Sequence, residues 1–286
     1  MTFLAADLPI PSTSDIVIVG SGFAASFFLW RLLRDAPPDL SITVLERGAF
    51  RDHWTRIEQR LMPDKKTSEL YRSVGAKAKP WTFSTGFGGS SNCWVGNTPR
   101  MLPTDFETYS RYGQGRDWPI SYDDLEPYYG IVEDLMQISG KGGPTEMSTP
   151  YPLPPHQLSL PEKALGQNWP GQFFPMPTAR ASRPTGFRSQ CCTSNLCWLC
   201  PVDAKFTILN GMAGVYEDPR VTMVSDATVR AVDIVGGAAR GVIWRRGGRE
   251  GRLAADHVVL AANGIFNPAL LLNSGDPSPL TGRRLH

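Results

Sequence analysis

The sequence predicts an α/β fold, in which an N-terminal βαβ unit begins a parallel sheet and a small β-meander follows later in the chain. The apolar run Ile16–Val19 ends at Gly20 and is typical of a strand buried on both faces of a parallel sheet. Residues 24–34 are rich in Ala, Phe and Leu and predict a helix that stops before Pro37 and Pro38. Residues 42–45 form a second apolar run, so strand, helix and strand follow one another.

The rest of the chain gives weaker signals. A helix is predicted over residues 122–138 with Ser121 as its N-cap, and another over 267–273. Apolar or alternating runs predict a β-meander followed by a core strand, at residues 221–224, 228–235, 241–244 and 257–260. Long irregular segments are expected between about 50 and 116 and across the Pro-rich stretch 140–184. We therefore expect two domains: one from residues 1–50 and 200–286, and a second from residues 51–199.

Composition excludes several classes of function. The 286 residues carry a net charge of +2 and no Lys/Arg run, so a nucleic-acid partner is not expected. No apolar stretch approaches the roughly 20 residues of a transmembrane helix. Residues 1–14 lack the pattern of a secretory signal, which predicts a cytoplasmic protein or one exported together with a partner.

Residues 20–25 match the dinucleotide fingerprint G-x-G-x-x-A between the first strand and the helix. Gly20 permits a tight turn, Gly22 allows the backbone to approach a pyrophosphate, and Ala25 lets helix and strand pack closely. The N-terminus of the helix favours negative charge, and Glu46, after the second strand, is placed to accept hydrogen bonds from ribose hydroxyls. The pattern indicates a dinucleotide such as NAD or FAD.

Three further segments resemble known flavoproteins. Leu45-Glu46-Arg47-Gly48 resembles the end of the second strand in FAD-binding proteins, and residues 257–264 resemble a strand that returns to the dinucleotide. The loop at residues 86–96, followed by Thr98-Pro99-Arg100, resembles the glucose–methanol–choline (GMC) oxidoreductases. Residues 117–122, with Leu125, Tyr128 and Tyr129, resemble the sugar and sugar-acid dehydrogenase branch of that family. The resemblance covers residues 15–286 and implies an N-terminal Rossmann-like FAD-binding domain with part of the family's substrate domain.

The resemblance and the fingerprint together predict the residues that bind FAD. The loop residues are small because backbone must lie against the cofactor. The expected set is Gly20, Gly22, Phe23, Ala24, Ala25, Glu46, Arg47, Gly88, Gly89, Ser90, Ser91, Asn92, Cys93, Val95, Gly96, Val229, Ala261 and Ala262. Cys93 departs from the family pattern, in which several sugar-oxidising relatives have a histidine before this tryptophan. It is either a buried free thiol or a thioether link to the flavin.

Four of the five cysteines crowd into ten residues, at Cys191, Cys192, Cys197 and Cys200. Such spacing indicates an iron–sulfur or metal site, although zinc and plain buried or disulfide-bonded thiols are the alternatives. The segment resembles the loop that holds a [3Fe–4S] cluster in bacterial FAD-dependent sugar dehydrogenases. The resemblance implies Cys191, Cys192 and Cys197 as ligands. Cys200 lies one residue away from the position expected for the family's fourth cysteine, so its role as a ligand is left open.

The resemblance implies an FAD-dependent enzyme that oxidises a sugar or polyol hydroxyl by hydride transfer and passes electrons through the cluster to an external haem-type acceptor. A cluster-free oxidase using oxygen and a catalytically silent FAD-binding subunit are the alternatives. We assign no catalytic base to this chain, because the resemblance places the family's catalytic histidine in a C-terminal part beyond these residues. Either the chain is a fragment of a longer protein, or a partner chain supplies the other half. The identity of the sugar and the oligomeric state are left open.

Overall fold

The computed structural model describes residues 8–74, 81–170 and 173–283. Short 3₁₀ turns occupy Gly89–Asn92, Pro103–Phe106 and Ala213–Tyr216. The strands and α-helices within the described residues are, in chain order, β1 (Thr13–Val19), α1 (Phe23–Asp35), β2 (Ile42–Leu45), α2 (His53–Glu58), α3 (Thr67–Leu70), α4 (Thr108–Tyr112), α5 (Tyr122–Leu135), α6 (Leu160–Asn168), α7 (Ile208–Gly211), β3 (Val221–Val224), β4 (Thr228–Val235), β5 (Ala238–Arg246), β6 (Arg249–Leu260) and α8 (Asn263–Asn273).

The strands form one sheet in the order β3-β2-β1-β6-β5-β4. Strands β3, β2, β1 and β6 are parallel neighbours, and β6, β5 and β4 run antiparallel as the predicted meander. The register pairs Val19 with both Leu45 and Leu260, and Leu45 with Val224. The carboxyl ends of the four parallel strands therefore lie level with one another at one edge of the sheet.

Strand β6 belongs to both parts of the sheet. Its first half pairs with β5, from Arg249 to Ala254, and from Ala254 to Leu260 it pairs with β1. Residues 221–224 are the exception to the prediction, since they pair in parallel with β2 instead of opening the meander. Their short apolar run carries no information about which neighbour it will pair with.

The N-terminal unit follows the predicted pattern closely. Strand β2 has the predicted bounds, and α1 runs one residue beyond the prediction at each end. Helix α8 begins at Asn263, four residues before the predicted start, and tolerates Pro268 in its second turn. Val17, Val19 and Leu45 lie in the main apolar core with Val242 and Leu253 of the meander. The core thus joins the parallel and antiparallel parts of the sheet.

The chain divides into two compact units. The first unit comprises the chain up to Trp94 and from Thr207 onward, and the second comprises Val95–Phe206. The described residues among 51–94, which the sequence assigns to the second domain, belong to the first unit, and residues 200–206, which it assigns to the first domain, belong to the second. In the described part of the chain, no helix is both long and apolar enough to cross a membrane.

The second unit has short helices and a buried ion cluster. Arg100 donates to both oxygens of Glu133, at 2.8 and 2.7 Å, and to Glu126 at 2.8 Å. Helix α5 begins where predicted, with the Ser121 hydroxyl accepting from Asp124 N–H at 3.3 Å. Helix α6 lies inside the stretch predicted to be irregular. Pro161 is compatible with a helix there because proline in the first turn removes a donor that would have no helical acceptor.

Candidate cofactor-binding site

A cavity of about 690 Å³ opens at the carboxyl edge of the sheet, and all its lining residues belong to the first unit. Gly20, Glu46 and Ala261 follow β1, β2 and β6 directly and line this cavity. Ligands of open α/β sheets bind outside the carboxyl ends of the strands, and cavities of 300–1,000 Å³ are usual for small-molecule sites. The cavity is therefore the candidate binding site.

The two fingerprint glycines are required for different reasons. Gly20 has φ +100°, and a Cβ there would lie 2.7 Å from the carbonyl oxygen of Ala261. The turn itself therefore demands glycine at this position. At Gly22 the backbone is extended, and a Cβ would approach no protein atom closer than 3.9 Å. The protein fold leaves room for a side chain at Gly22, so glycine there is explained by its preference over alanine at a helix N-cap and by close approach of a ligand.

The N-terminus of α1 lies at this edge of the cavity. Ser26 N–H makes the first helical bond, to Gly22 C=O at 3.0 Å, so the N–H groups before it have no acceptor within the helix. Gly22, Phe23 and Ala24 line the cavity. Ala25 is fully buried behind them, as expected of a residue at a close helix–strand contact.

Glu46 is buried and accepts four hydrogen bonds from protein groups. Its Oε2 accepts from Ser21 N–H at 3.1 Å and from the Ser21 hydroxyl at 2.9 Å. Its Oε1 accepts from Gly48 N–H at 2.9 Å and from Gly86 N–H at 3.0 Å. Burial raises the pKa of the Glu46 carboxyl, and the four donors oppose this shift. Glu46 thus holds the fingerprint turn against the loop at residue 86, and its predicted contact with ribose hydroxyls stays a prediction.

Arg47 covers one side of the cavity. Its guanidinium carbon lies 4.0 Å from the centre of the Phe266 ring, a cation–π contact. Burial lowers the pKa of Arg47, and the charge of Glu46 opposes that effect. The residue keeps a positive charge beside a site predicted to receive an anion.

The glycine- and serine-rich loop contributes fewer lining residues than predicted. Gly89 and Ser90 line the cavity, whereas Gly88, Asn92 and Cys93 do not. Ser91 is buried and binds the carbonyl of Gly88 at 2.7 Å and the N–H of Ile208 at 3.1 Å. These residues shape the loop from behind.

Cys93, Val95 and Gly96 have separate surroundings. The Cys93 thiol is buried and contacts the carbonyl of Ser90 at 3.7 Å. Val95 and Gly96 belong to the second unit, where a Cβ on Gly96 would lie 3.3 Å from the Arg180 side chain. None of the three lines the cavity.

The wall formed by β4 and α8 was mostly missed by the sequence analysis. Val229 lines the cavity as predicted, with Ala261 and Ala262. The cavity-lining residues that were not predicted are Val19, Ser21, Leu45, Leu70, Ser84, Thr85, Ala227, Thr228, Arg230, Asn263, Gly264, Phe266, Asn267, Ala269, Leu270 and Asn273.

The cysteine loop lies in the second unit and gathers three of its four thiols. Cys191 N–H donates to Ala181 C=O at 2.8 Å, and Ala181 N–H donates to Ala204 C=O at 2.9 Å. The Cys200 thiol accepts from Ala204 N–H at 3.3 Å. Because Ala181 contacts both segments, Cys191 and Cys200 are held near each other.

The other two thiols of this loop differ in their surroundings, since Cys197 contacts Arg180 and Cys192 is exposed. The Arg180 guanidinium donates to the Cys197 sulfur at 2.9 Å. Burial raises the pKa of the Cys191 thiol, and the charges of Cys200 and Cys197 act in the same direction. Cys192 is exposed, and hydrogen bonding to Ser194 lowers the pKa of its thiol. The predicted ligands Cys191, Cys192 and Cys197 do not form a group of three that could hold a metal ion in the described part of the chain, and their role as ligands stays a prediction.

The two predicted cofactors differ in how well the chain fits them. For FAD, the open space at Gly22 and the donors of α1 form a cradle beside a cavity of suitable size. For a metal centre, no three His, Cys, Asp or Glu side chains in the described ranges are arranged so that they could hold an ion. The residues fit a dinucleotide, and the cysteine loop as folded here does not fit a cluster.

The fold and this cavity define an α/β protein of the dinucleotide-binding class. The chain is 30% identical to the fructose dehydrogenase large subunit of Gluconobacter japonicus, across 96% of this chain and 58% of that protein. It is 26% identical to the gluconate 2-dehydrogenase flavoprotein of Pantoea cypripedii, across 93% of this chain and 53% of that protein. No family model matches the sequence.

A solved structure shares the fold. Pyridoxine 4-oxidase from Mesorbium loti aligns with a TM-score of 0.59 and 21% identity, over 92% of this chain and 52% of that one. The chain is thus a homologue of the GMC-type FAD-dependent oxidoreductases, and it spans about half the length of the relatives it matches.

Proposed function

We propose that this chain is the FAD-binding part of a GMC oxidoreductase that oxidises a hydroxyl-bearing carbon of a sugar or polyol. The observation that carries the proposal is the space at Gly22, where the protein fold leaves room for a Cβ and a bound pyrophosphate would not. The relatives named for fructose and gluconate supply the substrate class. Because the chain spans about half their length, the complete active site is part of the proposal.

Each part of the cavity would have a defined task. A bound flavin would supply the chemistry, which is acceptance of a hydride from the substrate carbon. The first-turn N–H groups of α1 would bind the pyrophosphate, and Arg47 would add positive charge on the same side. Glu46 would hold the fingerprint turn in place while its cavity-facing side remains available to a ribose hydroxyl. The base that removes the hydroxyl proton is proposed to lie outside these 286 residues, as the family resemblance implies.

We further propose an external electron acceptor, of haem type, and therefore a dehydrogenase. The relative named as a large subunit supports assembly with further chains. The catalytic half would lie either on such a chain or further along the same polypeptide. A [3Fe–4S] cluster rests on the resemblance alone, because the cysteine loop as folded here does not fit one. No electron-transfer step is derived through it. Residence in the cytoplasm, or export with a partner, stays a proposal from the N-terminal pattern.

An oxygen-using oxidase without a cluster is the second candidate. The cysteine loop favours it, because no three potential metal ligands in the described part of the chain are arranged to hold an ion. One experiment distinguishes the dehydrogenase from the oxidase. It uses the chain purified anaerobically together with the remaining catalytic half. Sugars and polyols are offered with either oxygen or a one-electron dye, while iron is quantified and an EPR spectrum is recorded.

The dehydrogenase proposal predicts sugar-dependent reduction of the dye, with slow turnover on oxygen. Rapid turnover on oxygen with no iron would establish the oxidase instead. A protein that binds FAD but oxidises no hydroxyl compound with either acceptor would identify a silent subunit.

A further inference from the structure

Tyr216 lies behind the fingerprint turn, on the side away from the cavity. It ends the 3₁₀ turn Ala213–Tyr216 and is 1% exposed. Its ring packs edge-on against Phe87 at a centroid distance of 4.9 Å. Its hydroxyl contacts the Ser26 hydroxyl at 2.8 Å and donates to the carbonyl of Ser21 at 3.2 Å. A residue distant in sequence thus reaches the backbone of the turn.

The contact with Ser21 fixes the orientation of one peptide group. The Ser21–Gly22 peptide is trans, so its C=O and N–H point in opposite directions. The C=O points at Tyr216, which does not line the cavity. The Gly22 N–H therefore points away from Tyr216, and Gly22 itself borders the cavity.

Ser26 extends the same chain of hydroxyl contacts into α1. Its hydroxyl donates to the carbonyl of Gly22 at 3.0 Å, and its backbone N–H binds that carbonyl too. The carbonyls on either side of the Gly22 N–H, those of Ser21 and Gly22, therefore each accept a hydrogen bond from a buried hydroxyl. A peptide held in this way is preorganised, because it loses little freedom when a ligand binds.

We propose that Tyr216 is a positioning residue for the cofactor: its hydroxyl holds the Ser21–Gly22 peptide so that the Gly22 N–H faces the pyrophosphate. This role rests on the proposed FAD function and deepens it. Neither the fingerprint motif nor the similarity to known proteins assigns a role to this residue. The ligand group concerned is the pyrophosphate, which FAD and ADP share and adenosine lacks.

The test is Tyr216→Phe, which keeps the buried ring and removes the hydroxyl. Titration calorimetry measures the affinities of the chain for FAD, ADP and adenosine. Loss of one net hydrogen bond predicts FAD and ADP binding that is weaker by roughly two- to twelvefold, by the same factor for both. Adenosine binding is expected to stay unchanged. Tyr122→Phe is the control, because the Tyr122 hydroxyl is also buried and bonded but lies in the second unit.

Several results would overturn the role. Unchanged FAD and ADP affinities in the variant would do so, as would an equal weakening of all three ligands, which indicates general loosening. If Tyr216→Phe does not fold, Ser26→Ala decides, because it removes the neighbouring hydroxyl and keeps a good helix former. Weakened ADP binding in Ser26→Ala supports the role and unchanged ADP binding overturns it. A wild-type chain that binds neither FAD nor ADP overturns the proposed function and this role together.

Discussion

Replacement of Gly22 by alanine separates ligand binding from folding. The new methyl group would lie 3.9 Å or more from every protein atom, and the extended backbone at Gly22 suits alanine. Alanine is a poorer N-cap than glycine, but it also lowers the entropy of the unfolded chain. We therefore expect the apo variant to unfold within about 1 kcal/mol of wild type.

The effect on FAD binding is expected to be larger. A methyl group inserted into a packed contact costs about 1–3 kcal/mol, which weakens binding by roughly 5- to 140-fold. Gly20→Ala is the matched control, because its Cβ would clash with Ala261 C=O at 2.7 Å and its φ of +100° is strained for alanine. That strain is expected to cost about 1–3 kcal/mol of folding free energy in the absence of ligand.

Quenching of FAD fluorescence gives the affinities, and thermal unfolding of the apo chains gives the stabilities. The expected pattern is a stable Gly22→Ala that binds FAD poorly and a destabilised Gly20→Ala. A Gly22→Ala variant that binds FAD as tightly as wild type would refute the reasoning. It would show that the pyrophosphate does not approach this backbone.

Three further predictions concern the second unit. Arg100→Met leaves the buried Glu133 carboxylate without its cation and should lower the free energy of unfolding, measured with denaturant, by about 3–5 kcal/mol. Arg111→Met is the control, because it breaks an exposed pair with Glu107 and should change that free energy by less than about 1 kcal/mol. Equal losses in the two variants would contradict the prediction. The Ser148 N–H and Arg100 lower the pKa of Glu126 to about 2. The carboxylate therefore contributes fully to folding stability above the ordinary pKa of 4.5, and this contribution is lost as the pH falls toward 2. Melting temperatures of wild type should thus fall more steeply over that range than those of Glu126→Gln, and parallel curves would contradict the assignment. Among the four cysteines of the loop, iodoacetamide should modify Cys192 first and Cys200 last when no cluster is bound, because Cys192 is exposed and Cys200 is buried. Peptide mass spectrometry measures the order of modification. Early modification of Cys200 would show that the loop opens.

Local patterns predicted the binding turn well. The binding turn is built from neighbouring stretches of sequence, namely the apolar runs of β1 and β2 and the glycines between them. Each of these patterns predicts its own backbone conformation without information from the rest of the chain. Most of the wall formed by β4 and α8 could not be predicted, because residues such as Thr228 and Phe266 reach the cavity only through the register of the sheet. Tyr216 carries no sequence signal, since a buried tyrosine after a short turn resembles any core residue.

The cysteine loop shows the opposite limit. Its spacing indicated which thiols are close in sequence, but pairing of residue 181 with residues 191 and 204 decides which are close in space. Cys192 therefore lies outside the group that its position in the motif predicted. Residues 221–224 show the same effect in the sheet, because a four-residue apolar strand does not specify its neighbour.

Titration of the apo chain with FAD tests the central claim most directly. Calorimetry or flavin fluorescence should show one FAD bound per chain, with ADP competing for the same site and Gly22→Ala weakening both. A colourless chain that cannot be reconstituted with FAD, alone or together with its partner, would contradict the account.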